Sequence, residues 1–168
     1  MPQLKSLGSQ FHSSSLAEIS DCYSMTMRTN KIELRIIEKG GNQGIVPYID
    51  GKSLIDIVDE YEKLAGNELG LSHGELWPNV GFFGPAERFW YGEFSFLDES
   101  QIWVLSCDCG EVGCCPLQTS VTAEAQQVSW SNFHSGTSPK PVPGMLSYTF
   151  EREEYDTQVA SISEFFNR

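Results

Sequence analysis

Hydrophobic and polar positions first alternate at Ile32, Leu34 and Ile36, with Glu33 and Arg35 between them. A period of two predicts a strand with one face on a core, within residues 26–38. Gly40, Gly41 and Gly44 mark a turn. Residues 45–49 read as the returning strand, with Pro47 placing it at an edge or an irregularity. The period changes after Ser53. Leu54, Ile57, Val58, Tyr61 and Leu64 recur at helical spacing, which predicts an amphipathic helix. Ser53 and Asp56 suit a capping box at its start, with Asp in place of the usual Glu, and Gly66 suits a stop at its end. Asp56, Asp59, Glu60 and Glu62 give this helix an acidic side.

Residues 67–89 are dense in Gly, Pro and aromatic residues and carry no clear period. An irregular segment is expected there, its rings packing down onto a sheet, followed by a strand over 89–97 that includes Trp90 and Phe94. β-propensity predicts strands over 101–107, 117–123 and 127–133. The link 124–126 is of hairpin length, so 101–133 reads as a three-stranded meander. A loop over 135–144 and a strand over 145–150 follow. The last element is a helix over 151–166, with Tyr155, Val159, Ile162 and Phe166 on one stripe. Glu151, Glu153 and Glu154 occupy its first turn, where the macrodipole favours negative charge. The sum is an α+β fold: an antiparallel sheet of about 6–7 strands with two helices packed against it. Residues 1–23 are polar and Ser-rich and read as a flexible or loosely docked leader, which leaves 24–168 as a single domain.

Charge narrows the range of partners. The chain has 168 residues and a formal net charge of −12, and its length supports a core without obligatory disulfides or metals. The excess is uneven: residues 1–39 carry a net +1 and residues 40–168 a net −13. Between Phe89 and Pro139 there is no Lys or Arg. That balance argues against nucleic acid as a partner, because phosphate tracking needs a basic surface, and against adsorption to an anionic membrane. It favours a basic protein as partner, drawn in by electrostatic steering. No apolar run is long enough to span a bilayer, and no signal-peptide core stands at the N-terminus, so a cytoplasmic location is expected.

The distinctive local feature is Cys107-Asp108-Cys109-Gly110-Glu111-Val112-Gly113-Cys114-Cys115-Pro116, at the tip of the first hairpin of the meander. The two glycines permit turns closed to residues with a Cβ, and such a turn can point several sulfurs inward. Three readings stand side by side. In one, Zn²⁺ is held by Cys107, Cys109 and Cys114, with Cys115, His73, His134 or Cys22 as the fourth ligand; zinc takes four ligands in a tetrahedron and thiolates suit it. The spacing is C-x-C followed by C-C rather than two C-x₂-C pairs, and adjacent cysteines rarely both reach one ion. In the second, two of the thiols do redox work, although Asp108 and Glu111 oppose thiolate formation. In the third, the cysteines are small apolar residues filling a tight turn.

The run C-x-C-G-E-x-G-C-x-P-L at 107–117, followed by Val128, Trp130 and Phe133 and by Phe150 and Tyr155, resembles an uncharacterised family of small bacterial proteins. The resemblance covers roughly residues 30–165 and brings with it no reaction, cofactor or substrate. Elsewhere the sequence holds little chemistry. His12, His73 and His134 form no H-x₃-H pair, and phosphate loops, G-x-G-x-x-G runs and nucleophile elbows are absent. Trp77, Trp90, Trp103 and Trp130, with Phe82 and Phe83, read as core plugs or as a ligand platform; if Trp103 and Trp130 lie on neighbouring strands, a cross-strand pair is the simpler arrangement. The function expected from sequence is an acidic protein-binding or inhibitor-type module rather than an enzyme, with a zinc-knuckle protein and a thiol redox protein as alternatives.

Overall fold

The computed structural model describes residues 28–64, 73–78, 83–93, 100–111, 113–136, 140–141 and 147–167. The expected leader over 1–23, the stop at Gly66, and Phe82, Phe94 and Cys22 lie outside the described residues.

The first alternating stretch forms β1 (Ile32–Lys39), which pairs antiparallel with β2 (Asn42–Ile49). Gly40 and Gly41 both take positive φ, 62° and 84°, as a two-residue hairpin turn with the sheet's own twist requires. Asp50 and Gly51, at φ 51° and 83°, repeat that turn and lead into β3 (Lys52–Ser53), which pairs with the end of β2. Asp-Gly is a strong sequence signal for this hairpin, yet a two-residue strand leaves no alternation to read. Pro47 sits where its missing N–H does no harm. The N–H and C=O of Ile45 both face Leu76, away from β1, and a residue two further along faces the same way. Among the described residues nothing pairs with that side of β2 between Leu76 and β3.

Helix α1 (Leu54–Leu64) follows without a break. The Ser53 hydroxyl accepts from the Asp56 N–H at 3.1 Å and donates to the Asp56 carboxylate at 2.6 Å, so the cap forms through the side chains of both residues. Leu54, Ile57 and Val58 are buried, but Leu64 is 83% exposed. The apolar stripe therefore ends a turn before the helix does.

The second sheet holds β4 (His73–Gly74), β5 (Gln101–Cys107), β6 (Leu117–Ala123), β7 (Gln127–Ser135), β8 (Lys140–Pro141) and β9 (Tyr148–Glu151), in the order β4-β5-β6-β7-β8 with β9 also on β7. The first two strands of the meander have the expected boundaries, and β7 runs two residues past the expected 133, to Ser135, at the start of the expected loop. The described part of the expected strand over 89–97, residues 89–93, is not a strand: α2 (Ala86–Phe89) occupies its start, and Trp90 and Tyr91 turn after it, while 94–97 lie outside the described residues. Ala86, Phe89 and Trp90 are buried, a spacing of three and four that fits a helix; their β-propensity gave the wrong period. The chain closes with α3 (Arg152–Phe166), whose Tyr155, Val159, Ile162 and Phe166 are all buried.

The class is α+β with antiparallel sheets, and the strands divide into a sheet of three and a sheet of six. Among the described residues two bridges join them. Ile45 of β2 bridges Leu76, just after β4, and Asn30, just before β1, bridges Phe150 of β9. The hydrogen-bonded path β1-β2-β4-β5-β6-β7-β9 therefore returns to β1 as a ring. Beyond Asn30 the ring gapes between β1 and β9, and α3 fills the opening, packing on β1, β7 and β9. Gln158 of α3 accepts the Leu34 N–H at 3.0 Å. Beneath the helix, Trp90 stacks on Trp130 with centroids 6.1 Å apart, and Phe150 and Tyr155 pack edge-on to Trp130. Among the described residues no helix is long and apolar enough to cross a membrane.

Candidate metal centre

Strands β5 and β6 carry the cysteine run between them, and the meander fixes its base. Leu105 pairs with Leu117 and both are fully buried. Above this pair the chain makes two consecutive tight turns, closed by Gly110 N–H to Cys107 C=O and by Cys114 N–H to Glu111 C=O, each 3.3 Å. Gly110 and Gly113 have φ of 82° and 77°, a conformation in which a Cβ is strained. Each also lies under an indole. A Cβ at Gly110 would stand 3.4 Å from Trp77, and one at Gly113 would stand 3.3 Å from Trp103. With Phe83, Pro78 and Pro116, these two rings line a cleft of about 230 Å³ beside the turn.

The turns bring the sulfurs of Cys107, Cys109 and Cys114 together, all within 4.8 Å of one another. Cys107 is half-buried, whereas Cys109 and Cys114 are exposed. Such a group is close enough to hold a metal ion. Adjacent cysteines do divide: Cys114 joins the group, while the Cys115 sulfur lies over Gly136, 3.8 Å from where a Cβ would stand. His73 and His134 do not join it either. His73 Nε2 is 3.1 Å from Ser135 Oγ. Burial lowers the pKa of both imidazoles from the ordinary histidine value, with Asp59 opposing the shift at His73. The His73–Ser135 contact links β4 to β7, which lie three strand spacings apart in the sheet, roughly 14 Å if it were flat. The sheet is therefore strongly curled at this end.

Electrostatics at the turn differ from what the side-chain charges alone imply. The Cys109 thiol is shifted below its ordinary value, first by the backbone N–H of Glu111 and then by the Cys107 thiol. The Glu111 carboxylate acts against this, but the amide of the same residue outweighs it. The Cys109 N–H likewise reaches the Cys107 sulfur, yet the neighbouring Cys109 thiol and burial leave Cys107 raised. Cys114 is pushed up to about 12, first by its contact with Cys109 and then by those with Cys107 and Cys115. The three thiols contact one another, and the two amides favour negative charge on the first two cysteines.

A cation also stands beside the turn. Lys39 Nζ lies 3.2 Å from Asp108, delivered by the end of β1 across 69 residues of sequence. The stretch without Lys or Arg is thus not without a positive neighbour in space. The tryptophans also sort differently from the expectation. Trp103 and Trp130 lie on β5 and β7 with β6 between them, and Trp130 pairs with Trp90 instead. Trp90, Trp130 and Phe83 are core; Trp77 and Trp103 are half-buried against the cysteine turn. No family model, no curated protein and no solved structure matches this chain.

Proposed function

We propose that this protein binds a thiophilic metal, Zn²⁺, in a knuckle formed by Cys107, Cys109 and Cys114. The observation that carries the reading is the convergence of three sulfurs within 4.8 Å of one another. Thiolates about 2.3 Å from a tetrahedral ion stand roughly 3.8 Å apart, so the group needs to close by no more than about 1 Å. The amides that support Cys107 and Cys109 suit thiolate ligands. On this reading the run that likens the chain to small bacterial proteins is a metal-binding signature, and a cytosolic location keeps its thiols reduced. The test is elemental analysis of untagged protein purified without chelator. About one zinc per chain is expected, falling below about a tenth in Cys109→Ser/Cys114→Ser. A wild-type content that low would overturn the proposal.

A second reading is an acidic module that engages a basic protein. The net −13 of residues 40–168 supports it, as do the exposed carboxylates of Asp56 and Glu60 on α1 and of Glu153 and Glu164 on α3. Such association is strongest at low ionic strength. A pull-down that retains no basic protein at low salt would end this reading.

A further inference from the structure

A structural zinc ion usually closes a fold that lacks a sufficient core, and it is held by four protein ligands. Neither condition holds at this turn. The hairpin tip is already fixed by the β5–β6 ladder, by two turn hydrogen bonds, by two indoles laid on its glycines and by the Lys39–Asp108 pair. Beneath it stands a large continuous core. Among the described residues the donor set is also one short. Of those residues only Cys107, Cys109 and Cys114 form the group; Cys115 touches Cys114 but lies outside the group, over Gly136, and His73 is engaged with Ser135. Two of the three cysteines are exposed, so an ion they hold is approached from outside without any opening of the fold.

Three donors, an outward face and a turn that keeps its shape unaided describe a loading site rather than a staple. We infer that the ion at Cys107, Cys109 and Cys114 is exchangeable cargo: the chain supplies three thiolates, leaves the fourth position to an external donor, and passes the ion to a thiolate-rich acceptor. This rests on the zinc reading of the same site. Transfer is ligand exchange. An acceptor thiolate takes the open position, and the acceptor's sulfurs then replace the three Zn–S bonds one at a time. The ion stays Zn²⁺ throughout, no electrons move, and the vacated thiolates take up protons from solvent. A soft thiolate acceptor fits because each intermediate keeps sulfur around the metal.

The experiment uses the full reduced chain, and its probe is an apo peptide carrying a Cys₄ zinc site. Metal-free protein is expected to keep a cooperative thermal transition. Zinc loaded at one equivalent is expected to pass to the peptide at a rate that rises in proportion to peptide concentration, as direct exchange requires. With Co²⁺ in place of zinc, added 2-mercaptoethanol is expected to alter the visible spectrum by entering the open position. Cys22→Ser and Cys115→Ser are expected to leave metal affinity within about threefold of wild type. Four results would each overturn the inference: an unfolded apo protein, a transfer rate independent of acceptor, an unchanged cobalt spectrum, or a loss above about tenfold in either variant. If zinc does not bind stoichiometrically at all, the site reading itself fails, and elemental analysis reports that separately.

Discussion

Tyr155 shows how much one hydroxyl can carry. It is fully buried, accepts the Trp130 indole N–H at 3.1 Å and donates to the Trp90 carbonyl at 2.7 Å. Tyr155→Phe keeps the ring and strands both partners, a loss on the order of 1–3 kcal/mol, which denaturant unfolding would register as a lowered midpoint. Asp50 makes a different contribution at the β2–β3 turn. It accepts from the Lys31 N–H and from Asn30 Nδ2, both at 2.8 Å, and these bonds, the backbone one first, hold its carboxyl below the usual range. The folded pKa thus lies below the unfolded value of about 3.9. The stabilisation is complete above about pH 4 and is lost as pH falls through the folded pKa. The stability gap between wild type and Asp50→Asn is therefore expected to be wider at pH 7 than at pH 3; an equal gap at both would refute this. Cysteine spacing in the sequence was enough to find Cys107, Cys109 and Cys114. That Cys115 does not join them depends on the turn at Gly113, which spacing alone does not specify. Lys39 had no local signal at all, because its place beside Asp108 is a product of the fold.

Elements whose partners are periodic in their own sequence were readable. Helix α3 shows its buried stripe at four positions, and Phe166 at its end packs on Phe89 with centroids 5.3 Å apart and on Phe83 at 6.1 Å. Phe166→Ala is expected to cost about 3–5 kcal/mol. Leu64, at the matching end of α1 but exposed, is expected to tolerate Ala within about 0.5 kcal/mol. Thermal denaturation of the two variants side by side checks the contrast. Strand β7 was readable despite an irregularity. Its register with β6 shifts beside Asn132, which has φ 55°, and the extra residue turns Phe133 inward as well as Trp130. Strand β4 and helix α2 were not readable. Two and four residues hold too little pattern, and long-range contacts place them.

At the scale of the whole molecule, the two sheets depend on their joints. Asn30 is one of them: its N–H donates to Thr149 C=O at 2.6 Å, its Oδ1 accepts the Thr149 N–H at 3.2 Å, and its Nδ2 reaches Asp50. Asn30→Ala removes both side-chain bonds and is expected to cost about 1–2 kcal/mol. The loss should appear in hydrogen exchange as faster amides in β9 and at the start of β1, with the β5–β6–β7 meander unchanged. Uniform acceleration would mean that the seam does not open by itself. The ring was not legible in the sequence, since its closure rests on two bridges between segments far apart in the chain.

The indoles laid on the cysteine turn have an optical consequence. Trp77 and Trp103 touch the glycines beside the sulfurs, while Trp90 and Trp130 are enclosed under α3. The protein therefore carries two emitters in the wetter setting and two in the drier one. An open-shell ion such as Co²⁺ on the thiols drains excited-state energy from the outer pair first, and the remaining light comes from the inner pair at shorter wavelength. On the proposed metal reading, loading and unloading of the turn would thus be followed as a change of colour in the chain's own fluorescence, with no dye attached.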